Sequence, residues 1–149
     1  MRLGVRVLDV GYLHFLSAMS IITSSDGSHT LISEKYGVSY HSRFGAVTEA
    51  DHVYINAGLR WKAAEKDEIS ILEVGFGAGL NAFMSGLEAT RASLKIHYIA
   101  LETTPIDEAQ ATLLNFPTAL HVPERAEDFM QLHRCDWEEP HAFSDYFTF

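Results

Sequence analysis

The chain has 149 residues, 47% of them apolar and 21% charged, the composition of a single globular domain able to bury a core without covalent staples. One cysteine, Cys135, excludes an internal disulfide framework and a cysteine-rich zinc site, and no apolar run approaches the roughly 18 residues of a membrane span. Of the net charge of −9, residues 101–149 carry ten acids against two bases, Arg125 and Arg134, which excludes a broad phosphate-coating surface but not a local docking patch.

Residues 1–18 begin with Arg2 and Arg6 ahead of an apolar stretch, as a leader does, but Asp9 and His14 interrupt it and no small-x-small site follows. They read as an extension, either an extra strand or a disordered arm, and patterned sequence begins just after Met19. From there, Ile21-Ile22-Thr23 and Thr30-Leu31-Ile32 are β-favouring runs around the turn cluster 24–28, and Val38-Ser39-Tyr40 alternates. Residues 20–42 are expected to form a small antiparallel element. Ala50, Val53, Tyr54 and Ala57 then fall on one helical face, with Gly58 as its stop.

Ile69 to Val74 reads as a buried strand, and Leu80, Phe83, Met84 and Leu87 repeat at helical spacing after it. Residues 94–101 read as a second strand ending at Glu102. A helix is expected behind it, capped by Thr104 with Pro105 at its first position, buried through Ile106, Ala109 and Leu113 and ended by Pro117. A further helix over 123–133 buries Ala126, Phe129 and Met130, and Phe143–Phe149 forms a last strand. Strand, glycine turn, helix, strand, helix is the opening of a doubly wound α/β fold. With three sheet strands, one long edge of residues 69–74 is left unpaired, which predicts marginal stability or self-association through that edge.

Glu73-Val74-Gly75-Phe76-Gly77-Ala78-Gly79 lies between the first strand and its helix. Such a turn lets a ligand approach the backbone and aims helix N–H groups at it. Glu102, 27 positions after Gly75, can accept from both hydroxyls of a ribose. Together they predict an adenosine-type cofactor. Leu80 replaces the last glycine of a dinucleotide fingerprint, which argues against a nicotinamide-dependent oxidoreductase, and no Lys-Ser/Thr pair follows for a P-loop. Glu73 repels pyrophosphate and suits the amino and sulfonium groups of S-adenosylmethionine.

Asp26-Gly27-Ser28-His29-Thr30-Leu31, Tyr40-His41-Ser42, Gly45-Ala46, Glu49, His52-Val53 and Glu73 through Phe83 resemble, in order and spacing, the MnmC-type methyltransferase domain in its single-domain form. The resemblance runs from about residue 21 to the chain's end. It implies a Rossmann-like class I methyltransferase fold, here its N-terminal portion over residues 19–149. The family methylates the aminomethyl group of a modified wobble uridine of tRNA with S-adenosylmethionine, in the cytoplasm, and an FAD-dependent oxidoreductase prepares that amine. By position, Glu73, Gly75, Phe76, Gly77, Gly79, Asn81, Glu102 and Tyr40 would hold the cofactor, and Glu49 would face the substrate. Ala78 stands where the family has Thr. The family's acidic residue for the substrate amine lies in a later Asp-x-Phe-x-Pro motif, beyond Phe149, so no catalytic base is assigned and the chain alone is expected to turn over weakly or not at all. A non-catalytic cofactor-binding relic is the alternative.

Other constellations are weaker. Eight histidines match no ligand motif, His133-x-Cys135 with His141 being the nearest approach to one. Ser42 beside His41 lacks a triad context. Phe143, Tyr146, Phe147 and Phe149 have no basic neighbours and are expected to pack into the core.

Overall fold

Residues 19–33 and 37–149 are described by a computed structural model, so the extension expected over 1–18 lies outside the described residues. β1 (Met19–Thr23) and β2 (His29–Ser33) pair antiparallel, and β3 (Val38–Ser39) adds to β2, forming the expected N-terminal element. Its turn does more than reverse the chain. Ser24 Oγ accepts from the Ala46 N–H (3.2 Å), Ser28 Oγ from Val47 (3.2 Å) and Asp26 Oδ2 from Thr48 (2.9 Å). These are the first-turn donors of α1 (Ala46–Ala50), which have no partner within their own helix. The hairpin turn therefore caps a helix about 20 residues downstream.

The helix continues through a π-helical segment (Asp51–Arg60) into α2 (Trp61–Ala63). Here the expected apolar face is wrong. Val53 and Tyr54 are half-exposed, and Gly58 lies inside the helix instead of ending it. The buried residues are Ala46, Ala50, Ile55 and Leu59. Their spacing of four, five and four residues follows the i→i+5 bonding of the π turn, which rotates the inward stripe away from the ordinary α-helical one.

β4 (Glu68–Val74), α3 (Leu80–Ala92) and β5 (Lys95–Leu101) form a Rossmann-like β–α–β unit, with the strands parallel and in register from Glu68↔Lys95 to Val74↔Leu101. α3 packs against β5, the π segment and the later segments Ala126–Arg134 and Phe147–Thr148, and its Phe83 meets Phe129 (5.3 Å between ring centres), which meets Phe116 (5.7 Å). The helix expected after Thr104 starts later. α4 (Glu108–Thr112) is capped by Asp107, whose carboxylate accepts from the Gln110 N–H (2.7 Å) while the Gln110 side chain accepts from the Asp107 N–H (2.9 Å). This reciprocal pair outcompetes a Thr-Pro start. Ile106, Ala111 and Leu114 are the buried residues there, and Ala109 and Leu113 face out. Pro117 does not end a helix but sits in the first turn of α5 (Phe116–Ala119), where its missing N–H costs nothing.

A 3₁₀ turn (Pro123–Arg125) leads into α6 (Ala126–Arg134), buried through Phe129 and Leu132, with Ala126 exposed against expectation. The expected final strand is a hairpin: β6 (Ala142–Ser144) and β7 (Phe147–Thr148), the Tyr146 N–H turned back onto Ser144 Oγ (3.2 Å). The sheet order is β4-β5-β7-β6, with β7 parallel to β5 and antiparallel to β6. Among the described residues the sheet has four strands, one more than expected, and β4 stands at its edge with one side unpaired.

Candidate functional site

The glycine turn leaves the C-terminal end of β4 with Gly75, Gly77 and Gly79 at φ of 89°, 57° and 75°. Two of these positions are also crowded, Gly79 beyond what a side chain can fit. A Cβ on Gly77 would lie 3.2 Å from the Tyr40 ring, and one on Gly79 would lie 2.8 Å from Phe76 Cζ and 3.0 Å from His133 Nε2. Phe76 is itself buried, in contact with the rings of His133, Trp137 and Phe149. The turn is thus held from within by Phe76 and His133, and its Gly77 face is covered by Tyr40.

Glu102, just past β5, clamps the turn from the other side. Its Oε2 accepts from the Gly77 N–H (3.0 Å), and its Oε1 from Thr103 (2.7 Å) and Thr104 (2.9 Å). Burial opposes its ionisation, but these three backbone donors together hold the carboxyl below its ordinary range. Its charge, added to burial, raises the Tyr40 phenol.

Glu73, the last inward-facing residue of β4, accepts at Oε1 from the Asn81 side-chain amide in the first turn of α3 (2.9 Å). The remaining acceptors of the pair, Glu73 Oε2 and Asn81 Oδ1, are buried without a hydrogen bond of full geometry, the Tyr98 phenol being the neighbouring donor that favours the Glu73 charge. Burial pushes the Glu73 carboxyl above its usual range, partly offset by the Asn81 amide and the Tyr98 hydroxyl. Burial, then the Glu73 charge, drives the adjacent Tyr98 phenol well above its own range. Two unsatisfied acceptor oxygens side by side call for a donor, and a cationic one best.

These groups open on a cleft of about 960 Å³ along the free edge of β4. Tyr40, Glu49, Glu73, Gly75, Phe76, Gly77 and Asn81 line it, as the sequence led us to expect of site residues. Glu49 Oε2 accepts from the Ser42 N–H (2.8 Å), fixing the loop that carries Tyr40 and His41. Burial pushes the His41 imidazole down, against the pull of Glu49. Two expected residues fall elsewhere. Gly79 is packed beneath the turn, and Glu102 lines a second cleft with Trp137, Phe149 and Pro105. Sequence reasoning did not assign Tyr54, Lys62 or Tyr98 to the first cleft. Tyr54 and Lys62 enter because the π turn swings them toward it. Tyr98 could have been found from the strand register, which sets Ile71 opposite it.

No family profile matches the chain. It is 36% identical over 93 residues to the tRNA 5-methylaminomethyl-2-thiouridine biosynthesis bifunctional protein MnmC of Burkholderia thailandensis, a match covering 58% of this chain and 14% of that protein. The protein of the same name in Burkholderia mallei is 35% identical over 91 residues, covering 58% of this chain and 13% of the relative. The match thus spans about one seventh of the length of these curated relatives. The crystal structure of MnmC2 from Aquifex aeolicus superposes with a TM-score of 0.57 at 32% identity, over 73% of this chain and 38% of that one. In sequence and in fold, over the stretch these comparisons cover, the chain is MnmC-like.

Proposed function

We propose that this chain binds S-adenosylmethionine at the glycine turn and belongs to a methyltransferase acting on the aminomethyl group of a modified wobble uridine of tRNA, in the cytoplasm. One observation carries the reading: a buried carboxylate–amide pair, Glu73 and Asn81, beside the glycine turn, whose Oε2 and Oδ1 have no hydrogen bond of full geometry. They fit the amino group of the cofactor's methionine part, and a dinucleotide's pyrophosphate would meet the Glu73 charge instead. Glu102 borders the second cleft, so a cofactor held at Glu73 would reach it across the glycine turn, where Gly77, Thr103 and Thr104 orient its carboxylate toward ribose hydroxyls.

The bound cofactor would supply an activated methyl group to a neutral amine. The chain's own part is to bind and orient. Glu73 and Asn81 take up an ammonium, and Tyr40, packed on the Gly77 face, holds the turn in place. Glu49 and Ser42 hold the loop that borders the acceptor side of the cleft. Positioning of this kind is where most of the acceleration of a methyl transfer arises. No residue of the cleft is assigned as the base for the substrate amine. The tRNA substrate is supported by the name of the relatives.

Calorimetry with S-adenosylhomocysteine and with NADH tests the binding step apart from turnover. Binding of the first and not the second is expected, and the reverse would replace the reading with a nicotinamide-dependent one. Methyl incorporation into undermodified tRNA then separates an enzyme from a binding relic. Glu73→Gln should weaken S-adenosylhomocysteine about 10- to 100-fold, the effect of losing a charge-assisted hydrogen bond.

A further inference from the structure

Tyr98 sits where packing alone would be served by a phenylalanine. It is 4% exposed, in the middle of β5, and its ring rests against Phe147 of β7 (5.9 Å between ring centres) and Phe149 just beyond (6.0 Å). A hydroxyl carried into such surroundings costs stability unless it finds a partner. The strand register supplies one. β4 and β5 pair Ile71 with Tyr98 and Glu73 with Ala100, so alternation puts Glu73 and Tyr98 on the same inward face, as diagonal neighbours on adjacent strands. Ala100, directly beside Glu73, has no side-chain donor to give it. The Tyr98 hydroxyl supports the Glu73 charge from the sheet, as the Asn81 amide does from α3 (2.9 Å). All three residues line the first cleft.

We propose that Tyr98 is a positioning residue of the ammonium site, its hydroxyl donating to the Glu73 carboxylate and holding it, charged and aimed, toward the first cleft. The contact rests on the strand register, and the ligand it serves rests on the cofactor reading. Burial and the Glu73 charge hold the Tyr98 phenol well above its ordinary range, so it remains a donor through neutral pH. A hydrogen bond to the charged form of an acid favours that form, which here works against burial. Phe147 and Phe149 fix the ring, so the direction of the hydroxyl is set before a ligand arrives. The other charged or titratable groups around Glu73 are Glu102, whose charge opposes its ionisation, and, along the cleft, Tyr40, His41, Glu49, Tyr54 and Lys62. All of them are retained in Tyr98→Phe, which keeps the ring and removes only the oxygen. A difference between the two proteins therefore reports the hydroxyl.

Two titrations test the proposal. In the ligand-free chain, the Glu73 carboxyl carbon is followed by NMR as pH changes, with Glu73→Gln assigning the signal. Its midpoint in Tyr98→Phe should lie higher than in the unaltered chain by about one pH unit. In calorimetry, S-adenosylhomocysteine affinity should fall as pH is lowered through the Glu73 midpoint, because only the ionised carboxylate attracts an ammonium. The fall should begin at correspondingly higher pH in Tyr98→Phe, leaving it about tenfold weaker below both midpoints and converging with the unaltered chain above them. Thermal melts confirm that the variant folds. In the unaltered chain, the Tyr98 hydroxyl proton should be observable and should shift as Glu73 titrates, a readout that needs no variant. An unmoved carboxyl midpoint overturns the proposal, as does a hydroxyl signal indifferent to the Glu73 titration. So does a loss of affinity equal at every pH, the mark of altered packing. A raised midpoint with no S-adenosylhomocysteine binding by either protein upholds the contact between Tyr98 and Glu73 and overturns the cofactor reading alone.

Discussion

Glu73 and Glu88 show how the same residue type takes opposite roles in one domain. Glu88, on α3, is buried, yet both its oxygens are satisfied. Arg60 of the π segment donates through Nε and a terminal nitrogen (2.9 Å each), and Arg91 donates through Nε (2.9 Å). The Arg91 and Arg60 hydrogen bonds hold its pKa down at about 2. Because the folded pKa lies below the unfolded value near 4.5, the stabilisation is complete above pH 4.5 and disappears as pH falls toward 2. A depression of this size corresponds to about 3 kcal/mol. Glu88→Gln should flatten that acid limb of the stability profile, read from urea midpoints between pH 2 and 6. Glu73 behaves in the reverse way, since burial raises its pKa and it lacks a full set of donors. Its affinity for an ammonium ligand requires the ionised form. S-adenosylhomocysteine affinity should therefore fall as pH is lowered through that raised pKa, and Glu73→Gln should remove this dependence in calorimetry across pH. His133 adds a third titration. Burial lowers its pKa to about 4, so the stability it confers is whole above pH 6.5 and is lost on descending to 4.

At the scale of elements, the glycine turn and the two parallel strands were legible because glycine, β-branched runs and a distal acid each have one dominant structural use. The glycines' purposes were less legible. Gly77 and Gly79 look alike in sequence, but one meets Tyr40 and the other Phe76 and His133. Gly79→Ala should destabilise the fold by about 1–3 kcal/mol, through positive φ and a 2.8 Å clash, as seen in thermal melts. Gly77→Ala carries the same left-handed backbone cost but meets only a side-chain ring at 3.2 Å, so it should destabilise less than Gly79→Ala and should also weaken ligand binding. The helix over 46–63 was misread in its facing because an i→i+5 turn leaves no mark in residue type. Thr104 was overruled by Asp107 and Gln110 because a reciprocal cap satisfies two backbone donors where a single hydroxyl satisfies one. The hairpin at 142–148 was hidden in what read as a single aromatic strand.

For the whole molecule, the β–α–β unit brings Glu73, Asn81, the glycine turn and Glu102 to the C-terminal end of the sheet, where ligands bind in open α/β folds. The sequence led to that convergence. It did not reveal that Glu102 would border a cleft separate from the one lined by Glu73, because that depends on where the 135–140 segment and the final hairpin settle. The unpaired edge of β4 was anticipated, and it opens into the first cleft, facing Tyr54 and Lys62. Among the described residues no helix is long and apolar enough to cross a membrane.

The bonds that Ser24, Ser28 and Asp26 accept from the start of α1, with the one Glu49 accepts from Ser42, tie three distant pieces of chain into one mechanical part. The hairpin cannot lift away without uncapping the helix that carries Glu49, and Glu49 in turn anchors the loop bearing Tyr40. Asp26→Ala should therefore do more than cost the about 1–2 kcal/mol of a lost cap. Amide hydrogen exchange should quicken together across residues 24–33 and 40–50, and the wall of the cleft should loosen as a unit while the β4–β5 sheet keeps its protection.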